Sequence, residues 1–207
     1  MEETQALSIV IPKELENLKL PSPELLDYYK DYDDRCISID CEIDDTLFDV
    51  TKQIIAYNKA DKGIPVEERK PIKIYLMSYG GDLYQAYAFI STILASQTPV
   101  ITVNMGVAMS AGLLILLAGH KRYAMKYSTA MIHSGSGGAQ GTYEQMEEQQ
   151  KNYKKLVDMM RDYILARTSI DIKTYNKNKT KDWYITDNEQ VELGIVSTIV
   201  TNLDEII

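Results

Sequence analysis

A serine hydroxyl becomes a useful nucleophile only beside a base and a charge-stabilising environment. The stretch Gly106-Val-Ala-Met-Ser-Ala-Gly112 offers a place for one. Ser110 sits between small residues where an apolar strand, Pro99-Val-Ile-Thr-Val-Asn, gives way to an apolar helix, Leu113-Leu-Ile-Leu-Leu-Ala-Gly119. At such a turn the first helical N–H groups lack intrahelical acceptors and the dipole favours negative charge, so an alkoxide-like oxygen is stabilised there. The same position suits a serine that merely caps the helix. Ser110 is the candidate nucleophile, and capping is its plain alternative. Three further features carry chemical potential: the pair Gly80-Gly81 after an apolar strand, His133 closing Thr129-Ala-Met-Ile, and Asp182 shortly before a capped helix. The other histidine, His120, reads as part of a polar turn with Lys121 and Arg122, and Asp187 is a near neighbour that could be mistaken for Asp182.

These residues need a frame. Arg35-Cys-Ile-Ser-Ile-Asp reads as a first strand, and Thr46–Asn58 carries Leu47, Val50, Ile54 and Ile55 at helical spacing. Lys59–Lys70 reads as a charged loop. Pro71–Met77 is a strand ending at Ser78-Tyr-Gly-Gly-Asp82, followed by an apolar helix over Leu83–Ser96. Strand, glycine-rich turn and helix thus occur twice in succession, the second time at Ser110, which predicts an α/β domain with crossover connections. Ser134-Gly-Ser-Gly-Gly-Ala-Gln-Gly141 holds too much glycine for a core strand and suits an extended edge that accepts another backbone. Thr142–Arg167 predicts a long amphipathic helix, with Tyr143, Met146, Tyr153, Leu156, Met160, Tyr163 and Ile164 mostly three or four apart. Lys173–Lys181 reads as a basic loop. Thr186 and Glu189 form a capping box, and Gly194 stops that helix.

A chain of 207 residues predicts one sizeable domain with a small appendage, here residues 1–34 as an N-terminal arm ahead of 35–207. A net charge of −8 argues against nucleic-acid binding, which needs a basic face. No basic leader opens the chain, and its longest apolar run is too short to span a bilayer, so a cytoplasmic protein that does not enter membranes is expected. Cys36 and Cys41 match neither a redox nor a zinc spacing and are expected to be reduced packing residues; no metal or cofactor is implied.

Taken in order, the motifs resemble the ClpP family of serine peptidases from about Cys36 to Ile199. The family's strand ending in Ser-Pro-Gly-Gly matches Ser78–Gly81, and its Gly-x-Ala-x-Ser-x-Gly turn matches Gly106–Gly112. Its Met-Ile-His with a following glycine-rich segment matches Met131–Gly141. Its Asp-x-Phe segment before Glu-x-x-x-x-Gly matches Asp182–Thr186 and Glu189–Val196. The resemblance implies a ClpP/crotonase-like core of repeated β-β-α units, with a protruding handle at about 134–167.

It implies that Ser110 attacks the scissile carbonyl, His133 takes its proton and Asp182 orients the imidazole. The N–H groups of Gly81 and Ala111 would form the oxyanion hole. Substrate would lie as a strand between Gly80, Gly81 and the segment carrying Ser134, Gly135, Gly137 and Gly138. It further implies homo-oligomeric stacked heptameric rings that enclose the sites, unfolded polypeptide substrates and a Clp-type AAA+ ATPase as partner. The acidic, tyrosine-bearing segment Pro21–Asp34 is a candidate arm near the entrance.

Some residues depart from the family pattern: Tyr79 replaces a proline, Met109 and Ala111 look exchanged around Ser110, and Ser197 stands where aspartate is usual. The short His120–Arg122 turn resembles phage versions. Three other readings stay open at this point. One is a crotonase-like acyl-CoA enzyme. Another is a relative of signal-peptide peptidases with Lys126 or Lys154 as base. The last is a catalytically silent ring component.

Overall fold

The computed structural model describes residues 25–207, and the chain divides after Asp34. Ahead of that point lies α1 (Leu26–Asp34), in which Tyr28 stacks on Tyr32 at 6.4 Å and meets Tyr29 edge-on at 5.7 Å. The remainder of the expected arm, residues 1–24, lies outside the described residues.

The unit Arg35–Ile207 is built on one seven-stranded sheet. Its strands are β1 (Cys36–Ile39), β2 (Ile72–Ser78), β3 (Val100–Met109), β4 (Lys121–Met125), β5 (Thr129–Ile132), β6 (Trp183–Thr186) and β7 (Thr198–Val200). The order β1-β2-β3-β4-β7 is parallel throughout. In β2 the period of two is plain: Ile72, Ile74 and Leu76 are fully buried while Lys73 and Tyr75 are partly exposed.

The strand predicted at Pro99–Asn104 runs on to Met109 and forks. Its first half pairs β4 through Ile101–Asn104, and its second half pairs β5 through Val107–Met109. At the fork, fully buried Asn104 fills the gap. Its amide donates to Thr129 O (3.2 Å) and Gln190 Oε1 (3.0 Å), and its Oδ1 accepts the Gly106 N–H. Gln190 in turn donates to Ser128. Buried amides persist only when so satisfied.

Three helices, α2 (Leu47–Ala60), α3 (Leu83–Ala95) and α4 (Ala111–Ala118), belong to the two strand–turn–helix units and the crossover before them; α3 packs against both α2 and α4. All eight residues of α4 are buried, so its run of Leu and Ile is core, each large side chain contributing about 1.5–3 kcal/mol on burial. Two expectations are corrected nearby. His120–Arg122 is not simply a turn, because Lys121 begins β4, sandwiched between β3 and β7. In the charged stretch 59–70, α2 continues to Ala60 and Asp61 is buried, accepting from the two terminal guanidinium nitrogens of Arg35 at 2.6 Å each and from Thr98 Oγ1 at 2.7 Å. One carboxylate thereby ties the starts of β1 and β3 to the end of α2.

The long helix α5 (Tyr143–Arg167) starts with a Thr142–Gln145 capping box and docks its C-terminal half through buried Met160 and Ile164, while Tyr143 and Met146 stay exposed. The basic loop expected at 173–181 instead contains α6 (Ile172–Asn178). Asp171 caps it, and Tyr175 sinks into the core. Helix α7 (Asp187–Glu192) begins where Glu189 accepts from both the N–H and the hydroxyl of Thr186, and Gly194 ends it at φ +66°. Among the described residues no helix is long and apolar enough to cross a membrane.

Candidate active site

β3 ends at Met109, and the next residue turns abruptly: Ser110 has φ 51° and ψ −122°, a conformation that costs a side-chain-bearing residue energy. Its N–H is anchored to Met131 O at 3.0 Å, which ties the turn to β5. Although Ser110 occupies the N-cap position of α4, its hydroxyl makes no capping hydrogen bond. It lies 2.7 Å from His133 Nε2. The capping alternative is thereby removed by geometry: the oxygen that would cap is pointed at an imidazole.

His133 follows the last residue of β5, and the Met109–Met131 register brings it beside Ser110. In the tautomer whose Nε2 accepts the serine proton, Nδ1–H faces Asp182 Oδ1 at 3.5 Å, longer than an N–H···O hydrogen bond. The His133 side chain is 21% exposed and that of Asp182 54%. Asp187 is elsewhere. Its carboxylate accepts the N–H of Tyr127, which turns at φ 69° between β4 and β5, and the N–H of Asn188; these bonds hold its pKa below the ordinary carboxylate value. Lys154 is engaged by Asp158 at 2.6 Å, and the Lys126 amine sits over the Tyr127 ring, so neither lysine partners Ser110.

The glycine pair is a backbone necessity. A Cβ on Gly80 would lie 2.8 Å from Ser110 Cβ and 3.1 Å from Ala111 N. One on Gly81, at φ +148°, would lie 2.2 Å from Ile43 O. The close approach is fixed by Ile43 N–H to Gly80 O (2.8 Å) and Asp82 N–H to Ile43 O (2.7 Å). Buried Ser78 supports the turn, donating to Cys41 O and accepting the Gly80 N–H. Among the described residues the N–H groups of Gly81 and Ala111 have no acceptor, the first because its neighbours take the bonds to Ile43, the second because it opens α4.

A cavity of about 550 Å³ opens over Ser110, with His133, Gly80, Gly81, Gly135 and Tyr153 among its walls. Cys41 also lines it, exposed and free, so the expectation of two packing cysteines holds no further than half-buried Cys36. Across it, Ser134–Gly138 forms no strand of its own. Ser134 Oγ donates to Lys179 O, leaving that segment's backbone, rather than this hydroxyl, to meet a ligand. Gly137 and Gly138 lie on its outer part beside a second cavity.

A mostly parallel sheet, with only β6 antiparallel to its neighbour β5, that delivers a strained serine, a strand-end histidine and a close-packed glycine pair to one cavity defines an α/β fold with the layout of a serine hydrolase. More narrowly, the chain belongs to the Clp protease family, whose sequence profile matches residues 24–203. It is 34% identical over 139 residues to ATP-dependent Clp protease proteolytic subunit 2 of Treponema denticola, covering 66% of this chain and 70% of that one. It is 30% identical over 136 residues to the ATP-dependent Clp protease proteolytic subunit of Deinococcus radiodurans, covering 65% and 67%. A ClpP1 point mutant from Listeria monocytogenes superposes with a TM-score of 0.75 at 25% identity, spanning 88% of this chain and all of that one.

The sequence reading did not single out Asn104, Ser128 and Gln190, which close the fork that aims β5. The available signal was a polar residue inside an apolar strand.

Proposed function

We propose that this chain is a ClpP-type serine endopeptidase. The observation that carries the reading is the 2.7 Å approach of Ser110 Oγ to His133 Nε2 from a turn where that oxygen could have capped a helix. A substrate strand enters between Gly80-Gly81 and Ser134–Gly138 and presents its carbonyl to Ser110. His133 takes the hydroxyl proton as Oγ attacks, and the tetrahedral oxyanion is met by the N–H groups of Gly81 and Ala111. The imidazolium then gives its proton to the leaving amine. A water, activated by the same histidine, hydrolyses the acyl-serine. Asp182 stabilises the imidazolium from the Nδ1 side.

In this reading the chain assembles into stacked rings that enclose the sites, and a Clp-type ATPase feeds them unfolded polypeptide; the names of the relatives, ATP-dependent Clp protease proteolytic subunits, support the ATP-dependent part. The chemistry is tested by labelling with a fluorophosphonate and peptide mapping: adduct on Ser110, absent in His133→Ala, is the expected result. The chamber is tested by comparing a short peptide with a stable folded domain; rapid cleavage of the folded domain by this protein alone would reject it.

One observation favours a second reading. The 3.5 Å gap between His133 and Asp182 is what a catalytically silent ring component would tolerate. Absence of labelling in the assembled complex would select it.

A further inference from the structure

The glycine-rich segment lies on one aromatic ring. A Cβ on Gly135 would come within 2.6 Å of the Tyr153 hydroxyl, and one on Gly137 within 3.3 and 3.4 Å of its ring carbons. The hydroxyl itself is 3.5 Å from Ser134 O. A Cβ on Gly138, by contrast, would meet nothing within 4 Å. A side chain at Gly135, which also has φ +82°, or at Gly137 would thus crowd the ring, whereas one at the next position, Gly138, would not. Tyr153 also forms a wall common to two cavities. One, of about 550 Å³, holds Ser110, His133, Gly135 and Met160; the other, of about 630 Å³, is bounded by Gly137, Gly138, Tyr143 and Met146.

We propose that Tyr153 is the specificity-determining and positioning residue of the substrate groove. This rests on the peptidase reading above and names how that site selects its substrates. The ring sets the height of the Ser134–Gly138 backbone on which an extended substrate pairs. It also divides the groove, so that one substrate side chain enters the chamber over Ser110 and a more distant one enters the chamber beside Tyr143 and Met146. Successive side chains of a strand point to opposite faces, which makes such a partition a filter on sequence. The second chamber, where Tyr143, Met146 and the Tyr153 ring meet Glu147, Gln149 and Gln150, accepts a large side chain.

Mass-spectrometric mapping of every cut in an unfolded protein reads the filter directly. In Tyr153→Ala the merged chamber admits bulkier side chains, and the cleavage spectrum shifts toward Trp, Phe and Tyr near the cut. KM for peptides of about eight residues rises about tenfold while kcat changes about threefold or less, and the ratio of peptide to small-ester turnover falls. Gly137→Val, which drives a side chain into the ring, impairs peptide cleavage, and pairing it with Tyr153→Ala restores at least part of the loss. Tyr153→Phe, which keeps the ring, retains the original spectrum.

An unchanged spectrum with peptide and ester turnover lowered in equal proportion, or no relief of Gly137→Val, overturns the proposal. If Tyr153→Ala does not fold, Tyr153→Leu and the Gly137→Val pairing with it decide by the same criteria. Fluorophosphonate labelling of the unaltered chain separates the two levels. Labelling at Ser110 with an unmoved spectrum defeats only the role of Tyr153, whereas no labelling defeats the peptidase reading and this one with it.

Discussion

Two sides of the same cavity are built to different tolerances. On the strand side, Gly80, Gly81 and Ser110 are packed so closely that one added carbon at either glycine would overlap its neighbours, and the backbone bonds between Ile43 and both Gly80 and Asp82 and between Ser110 and Met131 span 2.7 to 3.0 Å. On the other side, Asp182 is half exposed and 3.5 Å from the imidazole, and the segment after His133 rests on a tyrosine rather than on a sheet. The difference separates what folding alone fixes from what is adjustable. The proposed nucleophile, base and oxyanion donors, Ser110, His133, Gly81 and Ala111, are set by sheet register, while Asp182 and the proposed substrate edge are held by loops.

The comparison breaks most severely if the strand side proves dispensable. Ser110→Ala and His133→Ala are each expected to lower peptide hydrolysis about 10⁴-fold or more, with a combined effect no larger than either alone, because the two act as one unit. Full activity in a fluorogenic assay of either variant removes the assignment.

Next comes the fastening beneath that side. Asp61→Asn leaves the Arg35 guanidinium without its buried carboxylate and is expected to cost about 3–5 kcal/mol in denaturant titration. The Arg35 hydrogen bonds, then that of Thr98, hold the Asp61 pKa below its ordinary 3.8 against the opposing effect of burial. A lowered folded-state pKa means that this stability is present above the ordinary value and is lost as pH falls through the folded one. The variant's stability is therefore expected to vary less with pH in the acid range than the parent's.

Two glycines sharpen the contrast. Gly81→Ala forces a Cβ to 2.2 Å from Ile43 O at positive φ, with an expected loss of about 3 kcal/mol and of activity. Gly138→Ala enters open space and should change thermal stability by less than about 0.5 kcal/mol.

A graded effect falls on the adjustable side. Asp182→Asn is expected to reduce kcat about 100-fold, less than loss of the histidine, since the carboxylate acts across a gap and partly in water. Asp187→Asn should stay within about twofold; equal losses in the two would show that the wrong aspartate has been assigned.

Legibility in the sequence follows the same division. Periodicity over Ile72–Leu76, the glycine pair and the small-residue turn at Ser110 all express local constraints, and each fell where the sequence placed it. The extension of β3 to Met109 did not show, because Gly106-Val-Ala-Met lacks strand character until β5 supplies a partner. Nor did β4, whose Lys121 and Arg122 read as a turn until β3 and β7 flank them. Asp61 looked like one charge among many between Lys59 and Lys70, its burial being decided by Arg35 and Thr98 far away in sequence. Asn104, Ser128 and Gln190 are a tertiary agreement among three distant polar residues; only the first, a polar residue inside an apolar strand, leaves a local mark, and nothing local announces its two partners.

The pairing of β4 with β7, which sets Tyr123 opposite Thr198, also has a consequence during synthesis. At about 5–20 residues per second, a ribosome needs roughly 4–15 seconds after making β4 to deliver the strand that covers it. Throughout that interval the nascent chain presents an unpaired parallel edge, the kind of edge other chains join. The two cations that open β4, Lys121 and Arg122, stand where a newborn edge most needs repulsion from its own kind. Residues that disguise the strand in the sequence thus guard it until its partner arrives.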